Sequence, residues 1–175
     1  MLRPDSAVVA RLAGASRRTL NLCGAGVCLA LILFAWYLQY GRGLEPCPLC
    51  LLQRWVFWAL GAAFLLAAIW PAGGPLRFIH VGLLTLLSAA GAGIAGRHLW
   101  LQGLPPEQVP ACGPDLLFML DTFPLFEALS MTLQGSGDCA VIDWRFLGLS
   151  IPGWALLWFI VLGVAGVAIN LRTRR

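Results

Sequence analysis

Charge in this chain is so sparse that it leaves uncharged stretches of 23, 22, 19 and 26 residues at 19–41, 55–76, 78–96 and 146–171, counting His80 as neutral. A helix rises about 1.5 Å per residue, so about 20 apolar residues cross the hydrocarbon core of a bilayer. Each stretch can supply one span. Leu, Ala, Val and Gly occupy every helical face of these stretches, whereas a soluble amphipathic helix would show a polar stripe. With 59% hydrophobic and 11% charged residues, the chain cannot be a soluble globular domain. The sequence therefore predicts an all-α integral membrane protein, a four-transmembrane-helix bundle forming one domain over 1–175. The spans fall at about 19–40, 51–71, 77–96 and 153–171, with extracytoplasmic loops at about 41–50 and 97–152.

Arg11, Arg17 and Arg18 precede the first apolar run as in a secretory signal, but that run ends in bulky Phe34, Trp36, Tyr37 and Tyr40 rather than at a small-x-small cleavage site. It reads as a retained anchor. Four spans put both termini on one side, together with Arg3, Arg11, Arg17, Arg18, Arg77, Arg172, Arg174 and Arg175. Only Arg42, Arg54, Arg97 and Arg145 fall opposite, and eight against four places the termini in the cytoplasm. The net charge of +4 thus reflects membrane topology, and no basic-aromatic pattern points to nucleic acid. Trp36, Tyr37, Tyr40, Trp55, Trp58, Trp100 and Trp154 gather near the outer interface and Trp70 near the inner one, as anchors. Ser88, Ala92 and Gly96 recur every four residues in the third span and predict a close helix contact there.

On this topology four of the six cysteines, Cys47, Cys50, Cys112 and Cys139, lie in an extracytoplasmic compartment that permits disulfides. Cys23 and Cys28 fall inside the first span on different faces and read as packing residues. In the long loop, Pro105, Pro106, Pro110 and Pro114 stiffen the approach to Cys112 and favour extended backbone, which suits capture in a partner's groove. Leu116 to Leu129 is too short and too interrupted to span, and reads as an interfacial helix with Phe118, Met119, Leu120, Phe123 and Phe126 toward lipid. Gly135-Ser136-Gly137-Asp138 predicts a turn before Cys139.

The first pair, Cys47-Pro48-Leu49-Cys50, carries the chemistry. Proline is tolerated in a helix's first turn, so the second span is expected to begin near Pro48 with Cys50 in that turn, where the helix dipole favours a thiolate. Arg54 follows Cys50 at i+4, on the same face. Three readings suit a Cys-x-x-Cys here. Redox exchange comes first, because a bridge around two residues closes too small a loop to stabilise much. Structural staples on a non-enzymatic membrane scaffold come second. Zinc, recruiting Cys112, Cys139 or His98, comes third.

Glu45-Pro46-Cys47-Pro48-Leu49-Cys50-Leu51-Leu52-Gln53-Arg54 resembles the signature of the disulfide bond formation protein B (DsbB) family, and Asp143 to Trp154 resembles the segment leading into that family's fourth helix. The resemblance implies an enzyme, a thiol:quinone oxidoreductase of the bacterial inner membrane that re-oxidises a soluble periplasmic DsbA-type thiol oxidase. A paralogue dedicated to one partner is the alternative within that class. Electrons would enter at a Cys112–Cys139 disulfide through Cys112, pass to Cys47–Cys50, and leave from Cys50 to ubiquinone or menaquinone. Arg54 would stabilise negative charge beside the quinone, and His98 matches a position near the quinone ring. Trp144 falls on the loop motif only through the resemblance. The membrane quinone pool and the bilayer are then partners, and no metal is expected.

Overall fold

The structure, a computed structural model, describes residues 16–70, 74–111, 113 and 116–172. Cys112, Pro114, Arg3, Arg11, Arg174 and Arg175, on which the sequence reading also draws, lie outside the described residues. Four helices are long and apolar enough to cross a membrane. Helix α1, Arg17–Trp36, starts on Ser16, whose Oγ accepts from the Thr19 N–H at 3.2 Å. It runs on through a π-helical turn, Tyr37–Gly41. The other three are α2, Pro48–Ile69; α3, Leu76–Gln102; and, after the long loop, α6, Ile151–Leu171. Their outward faces carry exposed Leu33, Leu66, Ile79, Leu86, Ile160 and Val164. In water this apolar exterior would be untenable; in lipid it is the surface such a bundle needs. The expected four-helix membrane bundle is the observed fold.

Small residues set the helix spacing. The tightest seam joins α3 to α6. A methyl group at Gly91 would sit 2.4 Å from the Phe159 ring, and one at Gly163 would sit 2.8 Å from Ser88 Cβ. The buried stripe of α3 is Leu84, Ser88, Gly91, Ala95 and His98, stepping alternately by four and three. The expected ridge of Ser88, Ala92 and Gly96 agrees only at Ser88. Ala92 packs at the margin of the core, and a Cβ on Gly96 would meet nothing within 4 Å. Steps of four rotate about 40° each, so a strict four-residue ridge walks off the seam after two turns. Phe159 is pinned from its far side by Phe57, stacked at 4.0 Å between centroids with 10° between planes. Toward the end of the bundle that carries the termini, Asn21 and Asn170 exchange amide hydrogen bonds of 3.1 and 3.2 Å between α1 and α6.

The long loop departs from expectation in three ways. First, α3 does not stop near residue 96 but runs to Gln102. Arg97 need not end the helix, because its guanidinium reaches out over the Trp100 ring and donates to the Leu133 and Gln134 carbonyls at 3.1 and 2.9 Å. Second, the single interfacial helix is two: α4, Leu116–Thr122, and α5, Leu125–Gln134. Pro124 divides them, since it has no N–H to donate and disfavours helical backbone at Phe123. Leu117, Phe118, Leu125 and Phe126 are exposed, whereas Met119, expected toward lipid, is buried, and Leu120 and Phe123 are half-buried. Third, Arg145–Phe146 and Leu149–Ser150 form a small hairpin, β1 and β2, just before α6. Its turn residues Leu147 and Gly148 have φ of 50° and 83°, the twisted geometry that tight hairpins favour.

Gly91→Ala should strain the α3–α6 seam, because Phe159 cannot retreat into Phe57. A loss of about 1–3 kcal/mol is expected for such overpacking, read as a lower unfolding midpoint in detergent. Gly96→Ala, with open space around it, should leave the midpoint unchanged.

Candidate active site

Cys47 is the N-cap of α2. Its backbone is extended, with φ −67° and ψ 164°, and its sulfur accepts the Cys50 N–H at 3.3 Å. Serine or aspartate oxygens usually make this bond. Pro48 follows in the first turn, where its missing N–H leaves no helical bond unmade. Capping fixes the cysteine rotamer and so the pair: Cys47 Sγ lies 3.1 Å from Cys50 Sγ, about 1 Å from bonding distance. As the sequence predicts, Cys50 sits in the first turn, where the unpaired N–H groups stabilise negative charge.

Two residues from the far side of the chain close over Cys47. His98, 2% exposed, brings Nε2 to 3.7 Å from Cys47 Sγ and 3.0 Å from the Cys139 carbonyl oxygen. Its Nδ1 is 3.2 Å from Gln53 Nε2. The Gln53 amide then donates to Nδ1, which leaves Nε2 protonated to donate to the carbonyl. Sequence reasoning put His98 at an interface near a quinone ring; the structure buries it beside sulfur. Cys139 is itself wholly buried among Leu49 and Leu101, with its thiol hydrogen-bonded to Cys47. It is a free thiol at the end of the 3₁₀ turn Gly137–Cys139. The bond with Cys47, and then burial, push the Cys139 thiol well above its ordinary range. For Cys47 the Cys139 bond pulls downward, but Cys50 and burial together outweigh it and the net shift is upward.

Arg54 lies one turn below Cys50, within electrostatic range of its sulfur. Its hydrogen bonds go elsewhere, to Gln39 Oε1 and to the Ala35 carbonyl at 3.2 Å. Both acceptors belong to α1 and its π-helical turn, so the guanidinium bridges the first two helices. A half-open cavity of about 570 Å³ lies between them and α6. Cys47, Cys50, Arg54 and His98 line its polar end, and Leu31, Phe57 and Trp158 its apolar end. Phe34, Trp144, Phe146 and Trp154 form a chain along its wall, each ring 6.0 Å from the next. The indole of Trp154 donates to the Phe146 carbonyl at 3.0 Å, fastening the hairpin to α6.

The structure thus gathers Cys47, Cys50, Arg54 and His98 at the cavity and buries Cys139 in the cluster packed against Cys47; Cys112 is outside the described residues. Sequence reasoning missed Gln39 and Gln53. Both were findable, because an amide within a membrane-spanning helix must be satisfied by a partner. The contact between Cys47 and Cys139 spans 92 positions and has no local signature.

Cys139 should resist alkylation at neutral pH, with its rate midpoint well above that of a free thiol. The sign follows from its partner: Cys47→Ala removes the largest upward influence, so the midpoint should move down. Mass-spectrometric alkylation profiles across pH, on reduced protein, measure both.

Residues 17–169 match the family model described as disulfide bond formation protein DsbB. Similar relatives carry the name disulfide bond formation protein B. The one from Marinobacter nauticus is 49% identical over 83% of this chain and 87% of its own length. The one from Nitrosococcus oceani is 47% identical over 85% and 88%, and that from Methylococcus capsulatus 50% identical over 85% and 90%. A four-helix membrane bundle, a capped dithiol at its rim and these relatives agree: the chain belongs to the DsbB family of disulfide-forming membrane proteins.

Proposed function

We propose that this protein is a thiol:quinone oxidoreductase that re-oxidises a soluble DsbA-type thiol oxidase. One observation carries the reading: Cys47 lies 3.1 Å from Cys50 on one side and packs against the buried cluster that holds Cys139 on the other. It is therefore the sulfur through which two dithiols exchange. The arginine asymmetry supports placing both loops in the periplasm and both termini in the cytoplasm of a bacterial inner-membrane protein.

Exchange balances as follows. A partner thiolate attacks Cys112 of a Cys112–Cys139 disulfide, forming a mixed disulfide and releasing Cys139. Cys139 attacks Cys47 of the Cys47–Cys50 disulfide, and Cys50 leaves as a thiolate in the first turn of α2. The partner's second thiol then expels Cys112 and carries away the partner's own disulfide. Cys112 re-forms its bond to Cys139 and frees Cys47. Two electrons and two protons have moved from partner to the Cys47/Cys50 pair. Each step hands on a thiolate already released by the step before, so the buried Cys139 need not be deprotonated from its thiol form.

The cavity suits a quinone by size and chemistry. Its volume lies within the usual range for small-molecule sites, it is lined largely by aromatic and aliphatic side chains, and Arg54 and His98 are among the polar groups that share its lining with Cys50. A quinone bound there supplies an acceptor for two electrons and two protons as the Cys47–Cys50 bond forms. Arg54 holds positive charge at that end, fixed by Gln39 and Ala35. His98, protonated on Nε2 and steered by Gln53, orients Cys47 and the Cys139 backbone.

Purified protein should reduce quinone at the expense of a reduced DsbA-type partner, and Cys50→Ser should abolish this while leaving Cys47 able to trap Cys139. Arg54→Ala should raise the KM for quinone about tenfold, the loss of roughly 1.4 kcal/mol, with disulfide exchange to the partner retained. Unchanged quinone kinetics in Arg54→Ala would remove the residue from the site.

A further inference from the structure

The reduced centre has a second chemical capacity. Cys47 Sγ, Cys50 Sγ and a nitrogen of His98 lie within 4.8 Å of one another, at the polar end of the cavity. We propose that, when Cys47 and Cys50 are reduced, these two thiols and His98 form a three-ligand site for a soft divalent cation, Zn²⁺ above all, whose occupation holds the centre reduced.

The distances favour it. A tetrahedral zinc with bonds of about 2.3 Å to sulfur and about 2.05 Å to nitrogen sets ligand edges of about 3.8 Å between sulfurs and about 3.6 Å between sulfur and nitrogen. Cys47 Sγ and His98 Nε2 are already 3.7 Å apart. The two sulfurs, at 3.1 Å, need only open slightly, and Nε2 has to exchange its bond to the Cys139 carbonyl for the metal. Cys139 touches Cys47 but does not join the set, so the fourth position is open, as in catalytic rather than structural zinc sites.

Two features outside the ligands point the same way. Gln53, 3% exposed, grips Nδ1 of His98 and holds Nε2 between the Cys139 carbonyl at 3.0 Å and Cys47 Sγ at 3.7 Å. Metal-binding imidazoles depend on such support: on binding, the proton shifts to Nδ1 and the Gln53 amide turns its oxygen to accept it. Glu45, Asp138 and Asp143 line the same cavity against Arg42 and Arg54, so its carboxylates outnumber its guanidinium groups by one. Arg54, the nearby cation, is tied to Gln39 and Ala35 on α1. Binding displaces one proton from each thiol and transfers no electrons. A disulfide offers no thiolate, so the oxidised pair is excluded. The effect on turnover rests on the relay proposed above, whereas the binding itself does not.

The test is an anaerobic titration of the reduced full-length protein in detergent with Co²⁺, then Zn²⁺. One equivalent of Co²⁺ is expected to bring thiolate-to-metal charge-transfer absorption, bleached by Zn²⁺ and absent from the oxidised protein. His98→Gln should alter the spectrum and Gln53→Ala should weaken binding about tenfold. Because a variant can fail to fold, the wild type carries an independent readout: Zn²⁺ should protect Cys47 and Cys50 from alkylation, and leave Cys23 unprotected. Absorption equal in both redox states, a spectrum indifferent to His98, or protection confined to other cysteines overturns the proposal. Quinone reduction is measured separately: if it is absent while the Co²⁺ spectrum appears, the relay reading falls and the metal site stands.

Discussion

One hydrogen bond organises this molecule: the sulfur of Cys47 accepting the N–H of Cys50 at the start of α2. A helix entering lipid must satisfy its backbone internally, and only its first turn has donors to spare. Putting a cysteine at the cap assigns one of those donors to sulfur. It also brings the second cysteine, three residues on, to 3.1 Å. Pro48 makes the start abrupt. The reactive pair is thereby built from the membrane helix itself, and its position relative to the bilayer follows from where that helix begins.

Behind the pair stands a set of polar side chains that a four-helix membrane bundle can hold only when each is partnered. Gln53 is satisfied by His98, His98 by the Cys139 carbonyl, and Arg54 by Gln39 and Ala35. Each partner comes from a different helix or loop, so meeting the solvation demand of α2 ties it to α1, α3 and the long loop. The π-helical turn at Tyr37–Gly41 belongs to the same arrangement. Widening of the helix there alters the run of carbonyls next to Arg54, and such bulges recur at functional sites. Function and packing share these bonds.

The spans, the start of α2 and the place of Cys50 were legible because they follow from local rules: charge gaps, proline at a first turn, dipole. The seam of α3 was half legible, since Ser88 is in it, but Gly91 rather than Ala92 meets the neighbour, and only the partner's Phe159 decides that. The break at Pro124 was readable in principle and outweighed by the apolar run around it. The hairpin was not, because Leu147-Gly148 is a weak turn signal beside Asn-Gly or Asp-Gly. Least legible was the meeting of Cys47 with Cys139, which depends on a loop folding back over α3. Motif resemblance supplied the names of the cysteines, but the burial of His98 beside them comes from the structure alone.

That loop is anchored to the bundle by packing and by charge. Cys139 is held by burial against Leu49 and Leu101, and the chain before it by the grip of Arg97 on the last carbonyls of α5. Arg97 thus acts as a charged cap on a helix C-terminus, where a cation is favoured. Past that cap, Gly135 adopts a φ of 85° with its backbone pressed on Leu101, so the chain can turn down toward the dithiol only with glycine there. The segment ahead of Cys112 is tied to the same turn, through a 3.2 Å bond from the Gly137 N–H to the Ala111 carbonyl, so the two arms of the loop meet at Ser136–Gly137.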